Sequence, residues 1–252
     1  MSLLLLLIAC VPQPDTDLPV EESDTDTDTD TDTDTDTDTD TDTDTDTDTD
    51  TDFVCPPYLG ITAVGQAWDW HFNPAYEEDF GGTGSWTQVL DSFTPSAGRA
   101  DWVQITDTVY TLPDFDEYTY HTETVGHCDA DGGWITSQIS DIHYVYGGYE
   151  ANTTSYTTYD TPLLVMPPAL RVGDTWLVDN SGVSRVDGQP DVTFTLNTTY
   201  EATLSDAVEV PAGTYEVIEL RTTTPESTFT YWVERDVGSV KSDIAELLDY
   251  RP

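Results

Sequence analysis

The chain has 252 residues, with 50 acids against 7 bases and a formal net charge of −43. Residues 1–52 hold 19 of the acids and no base, leaving 31 acids against 7 bases, a net of −24, in residues 53–252. That balance excludes a nucleic-acid binder, which needs Lys and Arg to displace counterions from phosphates, and argues against docking on anionic lipid through a basic patch.

Met1-Ser2 is followed by the apolar run Leu3–Leu7 and then by Ile8-Ala9-Cys10. A short apolar run ending in small residues predicts an export signal, too short to span a bilayer. Leu7-Ile8-Ala9-Cys10 also resembles a bacterial lipobox, although the segment before it lacks the usual Lys or Arg. The resemblance implies cleavage before Cys10, lipidation of its thiol and anchoring by several acyl chains. With Val11 rather than Asp after the Cys, it further implies the outer membrane. The alternative is a plain signal peptide.

Residues 11–52 open with Pro12, Pro14 and Pro19, and from Asp24 to Asp52 Asp and Thr alternate strictly, with 15 Asp at even positions. Neighbouring carboxylates about 7 Å apart lie within the ~8 Å screening length at physiological salt. The expectation is a disordered tether stretched by its own repulsion, reaching at most about 140 Å at about 3.3 Å per residue. Divalent-cation capture by the Asp oxygens is the alternative, but such a chain supplies no preformed cage.

From residue 53 onward the chain reads as a single all-β domain, with short runs rich in Tyr, Trp, Thr and Val between turn residues. Strands are predicted at Ala67–Phe72, Ser85–Phe93, Trp102–Leu112, Phe115–Val125, Trp134–Ser140, Ile142–Tyr146, Thr175–Val178, Val192–Thr203, Thr214–Thr223, Phe229–Glu234 and Ser239–Ser242. Alternation in the fourth run puts Tyr118 and Tyr120 on one face and Glu117, His121 and Glu123 on the other. Turns are expected at Asp131-Gly132-Gly133, Gly147-Gly148, Asp187-Gly188 and Pro211-Ala212-Gly213. The one helix-like stretch is Ser242–Tyr250. Strands joined by hairpins make an antiparallel sheet, and about ten of them must curl into a half-barrel or split into two layers. With Cys10 lipidated, Cys55 and Cys128 remain in an exported chain. A disulfide between them is expected, with two free thiols as the alternative.

Four segments carry a family resemblance. Leu163-Leu-Val-Met-Pro-Pro-Ala-Leu-Arg-Val-Gly-Asp-Thr-Trp176, Val210-Pro-Ala-Gly-Thr-Tyr-Glu-Val217 and Tyr231-Trp-Val-Glu-Arg-Asp-Val-Gly-Ser-Val-Lys241 follow one another in the order found in the TapB-like class of exported β-domains, mostly bacterial lipoproteins with pilus-assembly proteins among them. His127-Cys-Asp-Ala-Asp-Gly-Gly133 resembles a hairpin of the same proteins. The resemblance covers about residues 100–243 and implies a curved antiparallel sheet, like the half-barrels of lipoprotein carriers. It brings no catalytic residues. Arg235-Asp236 stands where the class often has a Pro-Gly turn.

His121, Glu123, His127 and Cys128 invite a metal or deaminase reading, but no Pro-Cys-x-x-Cys completes such a site and no His-Glu-x-x-His occurs. Exposed polar residues on a hairpin are the competing interpretation. Asp129-Ala-Asp131-Gly-Gly is half of a calcium loop, or simply an Asp-Gly turn. Gly84-Ser85 and Ser181-Gly182 lack a nucleophile elbow. Acids such as Glu77-Glu78-Asp79 could pair as in a glycosidase, although with 31 acids proximity arises by chance. No cofactor or metal is expected. The leading expectation is a non-catalytic binding or assembly module at the cell envelope, tethered to membrane by its anchor and facing a protein partner. A hydrophobic-ligand carrier is the alternative, and a carboxylate-pair hydrolase the third.

Overall fold

Turn chemistry decides where this chain reverses. Gly147 and Gly148 both take positive φ (56° and 80°) between the paired Tyr146 and Tyr149, the two-residue turn whose twist matches flanking strands. At the reversal after Glu234 a non-glycine residue, Asp236, takes the left-handed conformation (φ 64°), which a short polar side chain tolerates, followed by Gly238 at φ 85°. Arg235-Asp236 thus makes this reversal without a Pro-Gly pair.

The computed structural model describes residues 53–252; the predicted export signal with Cys10 and the Thr-Asp repeat lie outside them. The strands are β1 (Ala67–Phe72), β2 (Thr83–Ser96), β3 (Arg99–Thr111), β4 (Glu117–Asp129), β5 (Gly132–Tyr146), β6 (Tyr149–Met166), β7 (Thr175–Val186), β8 (Val192–Val210), β9 (Gly213–Thr223), β10 (Thr228–Glu234), β11 (Gly238–Ser242) and β12 (Ala245–Arg251). Each pairs antiparallel with its sequence neighbours, and β1 pairs with both β2 and β12. The curved antiparallel sheet is there, and its curl runs past a half-barrel to a closed barrel. Bulges at Leu90/Ser92, Val125/Gly126 and Ala202/Leu204, among others, add the local twist that closure demands.

Three local expectations are corrected. Ser242–Tyr250 is not helical: Ala245–Arg251 is strand β12. Ala, Glu and Leu favour a helix by only tenths of a kcal/mol each, and so short a segment could not hold one alone. Pairing with β1 instead buries Ala245 and Leu247 completely. The helix lies at Pro74–Phe80 (α1), where Asn73 accepts a bond from the Tyr76 N–H, Pro74 sits in the first turn and Gly81 caps in the left-handed region. The Thr-rich β6 was missing from the predicted strands, and Trp134–Tyr146 forms one strand, β5, with Asp141 facing outward.

The inner wall divides by chemistry. On β2–β6 the register lines up Gln88, Thr106, Thr122, Ser140 and Ser155 in one cross-strand row, and Leu90, Gln104, Thr124, Gln138 and Thr157 in the next. Hydrogen bonds join several of these positions: Gln138 Nε2 donates to Thr124 Oγ1 (3.2 Å), Tyr159 to Gln138 Oε1 (3.4 Å), and Thr122 and Ser140 share one (3.1 Å). Threonine suits this wall, because its branched Cβ fits the pleat while its hydroxyl finds a cross-strand partner. On β8–β12 the buried positions include Ala202, Leu220, Val233, Val240 and Leu247.

Residues 55–66 cross the lower end of the barrel, where the β2–β3, β4–β5, β8–β9 and β10–β11 turns lie. Cys55 is bridged to Cys128 on the inner face of β4, with Cα atoms 5.4 Å apart. Leu59 packs against Gly133, Pro57 O accepts from the Asp236 N–H, and Trp68 Nε1 donates to Val237 O (2.8 Å). The outer wall is polar at mid-strand, with Asp107, Asp141, Asp160, Asp179 and Glu201 facing solvent. A membrane-spanning barrel instead carries an apolar band about 25 Å tall. Among the described residues no helix is long and apolar enough to cross a membrane.

Candidate functional site

Where four adjacent strands meet in register, their outward side chains form ladders across the barrel wall. On β3–β6 one ladder runs Asp107, His121, Asp141, Thr154, and the next runs Val109, Thr119, His143, Asn152. Between them the backbone of Thr108, Tyr120, Ile142 and Thr153 forms the floor of a groove of about 440 Å³.

Six of the polar side chains pair along the ladders. His121 Nδ1 lies 2.6 Å from Asp107 Oδ1, Thr154 Oγ1 donates to Asp141 Oδ1 at 2.6 Å, and His143 Nδ1 lies 2.9 Å from Asn152 Oδ1. His143 Nε2 faces Glu117 Oε2 at 3.8 Å. The side chains of His121 and Asp107 remain 49% and 66% exposed, so these pairs stand in water. The groove holds two imidazoles, three carboxylates at its walls and edge, an amide and two hydroxyls, with no Lys or Arg. It can exchange hydrogen bonds with a ligand; it excludes little water, as acid–base chemistry on a buried reacting atom would demand.

Comparison with protein-family models, curated proteins and solved structures returns no match.

The residues singled out from the sequence fall in different places. His121 lies in the groove. Glu123 follows one pleat away on the same outer face, and His127 three pleats away, about 20 Å along an extended strand. Cys128 faces inward and is bonded to Cys55. No three of the described His, Cys, Asp or Glu side chains form a group that could hold a metal ion. His127 is buried against Trp134, their rings stacked at 6.1 Å, and its Nδ1 has no partner. Burial and the nearby Arg99 push its pKa down, against the pull of Asp129 and Asp101. Asp129 turns its carboxylate into its own hairpin, accepting from the N–H groups of Asp131 and Gly132 and from Trp134 Nε1. Burial raises its pKa, and these bonds, with His127 beside it, outweigh that and hold it below the usual value. Glu77, Glu78 and Asp79 sit on α1, and Ser181 donates to the Asp160 carboxylate.

Sequence reading missed Asp107, Asp141, His143, Asn152 and Thr154. Alternation alone places each on an outer face. Only the register of four strands separated by up to 47 positions in the chain brings them into two ladders.

At the upper end, inner-facing aromatic rings cluster. Tyr110 and Tyr118 pack at 5.5 Å, Tyr118 and Tyr144 at 6.1 Å, and Tyr118 and Tyr120 share a hydrogen bond of 2.8 Å. Burial pushes Tyr110 up to about 12, with the neighbouring Tyr118 and Tyr76 adding to it. Tyr118 and Tyr144 are half-buried, so this end admits solvent between the rings.

Proposed function

We propose that this protein is an exported, lipid-anchored binding module of the cell envelope, non-catalytic, whose barrel is held off the membrane by the acidic segment 11–52. The observation that carries the reading is the β3–β6 groove, in which polar side chains are held by cross-strand neighbours and Asp107 and His121 stand open to solvent. Such preorganisation spares a ligand the cost of ordering its site. The buried Cys55–Cys128 bridge suits an oxidising compartment. The polar outer wall suits a barrel surrounded by water, so membrane attachment falls to the predicted lipid on Cys10. The resemblance to the TapB-like class of envelope lipoproteins agrees with this reading, and a protein partner at the envelope is part of it.

A carrier of hydrophobic ligands draws on the aromatic upper end. Below it, however, the Thr and Gln rows fill the interior with hydrogen-bonding groups, a poor lining for an acyl chain.

Two measurements test the proposal. Wild-type chain should incorporate labelled palmitate and pellet with membranes, and Cys10→Ser should do neither; unlabelled wild type, or a Cys10→Ser chain that still pellets, rejects the anchor. Fluorescent full chain added to cell envelopes should bind saturably, and a variant carrying Asp107→Ala and Asp141→Ala should not. Binding that does not saturate, or that survives the double change, rejects the groove as the binding surface.

A further inference from the structure

We infer that the ligand of the β3–β6 groove is a neutral, polyhydroxylated chain, that is, a short glycan. The inference rests on the groove being a binding surface and adds the chemistry of what it binds.

The argument starts from the atoms left over once the side chains have oriented one another. Asp107 is held through Oδ1, which leaves Oδ2 as an acceptor, and His121 is held through Nδ1, which leaves Nε2. Asp141 accepts from Thr154 on Oδ1 and keeps Oδ2, while Asn152 meets His143 through Oδ1 and keeps its amide donors. Acceptors on Asp107 and Asp141 therefore stand beside the ring nitrogen of His121 and across the floor from the amide donors of Asn152. A ligand complementary to this wall must both donate and accept at short intervals along its length, as hydroxyl groups do.

Charge narrows the class. Asp107, Asp141 and Glu117 repel sulfated, phosphorylated or carboxylated chains, in keeping with the net −24 of residues 53–252. A cationic peptide would use the carboxylates and leave the Asn152 amide and His121 Nε2 unserved, and polar groups covered by a ligand that gives them no partner cost affinity. Shape agrees. Four strands give three spacings of about 4.8 Å, so the floor is about 14 Å long, open at both ends and without a deep pocket for a single side chain. On the same outer face Tyr156, one pleat beyond Thr154 on β6, is 38% exposed, and its ring offers an apolar surface to the C–H face of a sugar.

The experiment uses the full chain against an array of neutral hexasaccharides built from glucose, mannose, xylose, galactose or N-acetylglucosamine, with tetralysine peptide as the cationic probe. At least one neutral hexasaccharide should bind. Its affinity should fall at least tenfold in Asp107→Ala and in Asp141→Ala, several-fold in Tyr156→Ala, and not at all in Thr195→Ala on β8, with melting temperatures confirming that every variant folds. No binding to any neutral hexasaccharide overturns the inference, as does sugar binding that Asp107→Ala and Asp141→Ala leave intact. Tetralysine binding abolished by Asp107→Ala, without sugar binding, overturns the glycan and leaves the binding module standing. If the chain binds neither probe and no cell envelope, both fail.

Discussion

His127 shows how one side chain ties pH to stability. Its side chain is only 7% exposed, Nδ1 has no partner, and the charged form is disfavoured by burial and by Arg99, with Asp129 and Asp101 opposing. A histidine whose pKa is lower in the fold than in the unfolded chain takes up a proton on unfolding. Its contribution is present above the ordinary value of 6.5 and is lost as pH falls from there toward the lowered value. Asp129, also lowered, adds a loss in the same direction at more acid pH, below its usual 3.8. Melting temperature should therefore drop between pH 7.5 and 5.5, and His127→Phe, which keeps a ring against Trp134, should flatten that drop. A wild-type curve level across the interval, or one that His127→Phe leaves unchanged, would refute the assignment. At this scale the sequence was a partial guide: it drew attention to His127 as a candidate metal ligand, whereas the fold stacks it on Trp134 and covers it at the outer face of β4.

Among the elements, the segment ahead of β1 depends most on a covalent bond. Residues 55–66 contribute one 3-10 turn over Pro57–Leu59 and no strand, so their attachment rests on the packing of Leu59 and Ile61, a few hydrogen bonds and the Cys55–Cys128 bridge. The bridge spans a sequence separation of 73, for which the chain-entropy model gives about 4 kcal/mol. The double change Cys55→Ser, Cys128→Ser should still fold, because the ladder of β1–β12 does not use these side chains. Its urea midpoint should lie well below that of the oxidised protein. An unchanged midpoint would mean that the unfolded chain gains nothing from the bridge. The pairing itself was legible from the sequence, by counting thiols in a chain expected to be exported. Strand β12 was not: Ala245-Glu-Leu-Leu248 carries a helical preference locally, and the gain from closing β1 against it exists only in the assembled barrel.

For the whole molecule, charge is the dominant unbalanced term. Of the seven bases, Arg99, Arg185, Arg221, Arg235, Lys241 and Arg251 each pair with an acid, leaving most of the 31 acids of residues 53–252 facing one another. Salt at 0.15 M screens charges beyond about 8 Å and should relieve that repulsion more than it weakens exposed ion pairs, each worth at most about 1 kcal/mol. Melting temperature should rise from 10 to 300 mM NaCl. A fall would show that the ion pairs outweigh the surplus.

By itself the sequence determined the β class, the two opposed faces of the alternating runs and the positions of four of the hairpin turns. These follow from local chemistry: period-two patterning, Gly at positive φ, and Tyr, Trp and Thr suited to a pleated surface. Only the tertiary structure decided that the sheet closes, that the last residues complete it as a strand, and that Asp107, His121, Asp141 and Thr154 stand in one row. Closure and register are relations between strands far apart in the chain, and a shift of one residue in any pairing would turn those side chains to the other face.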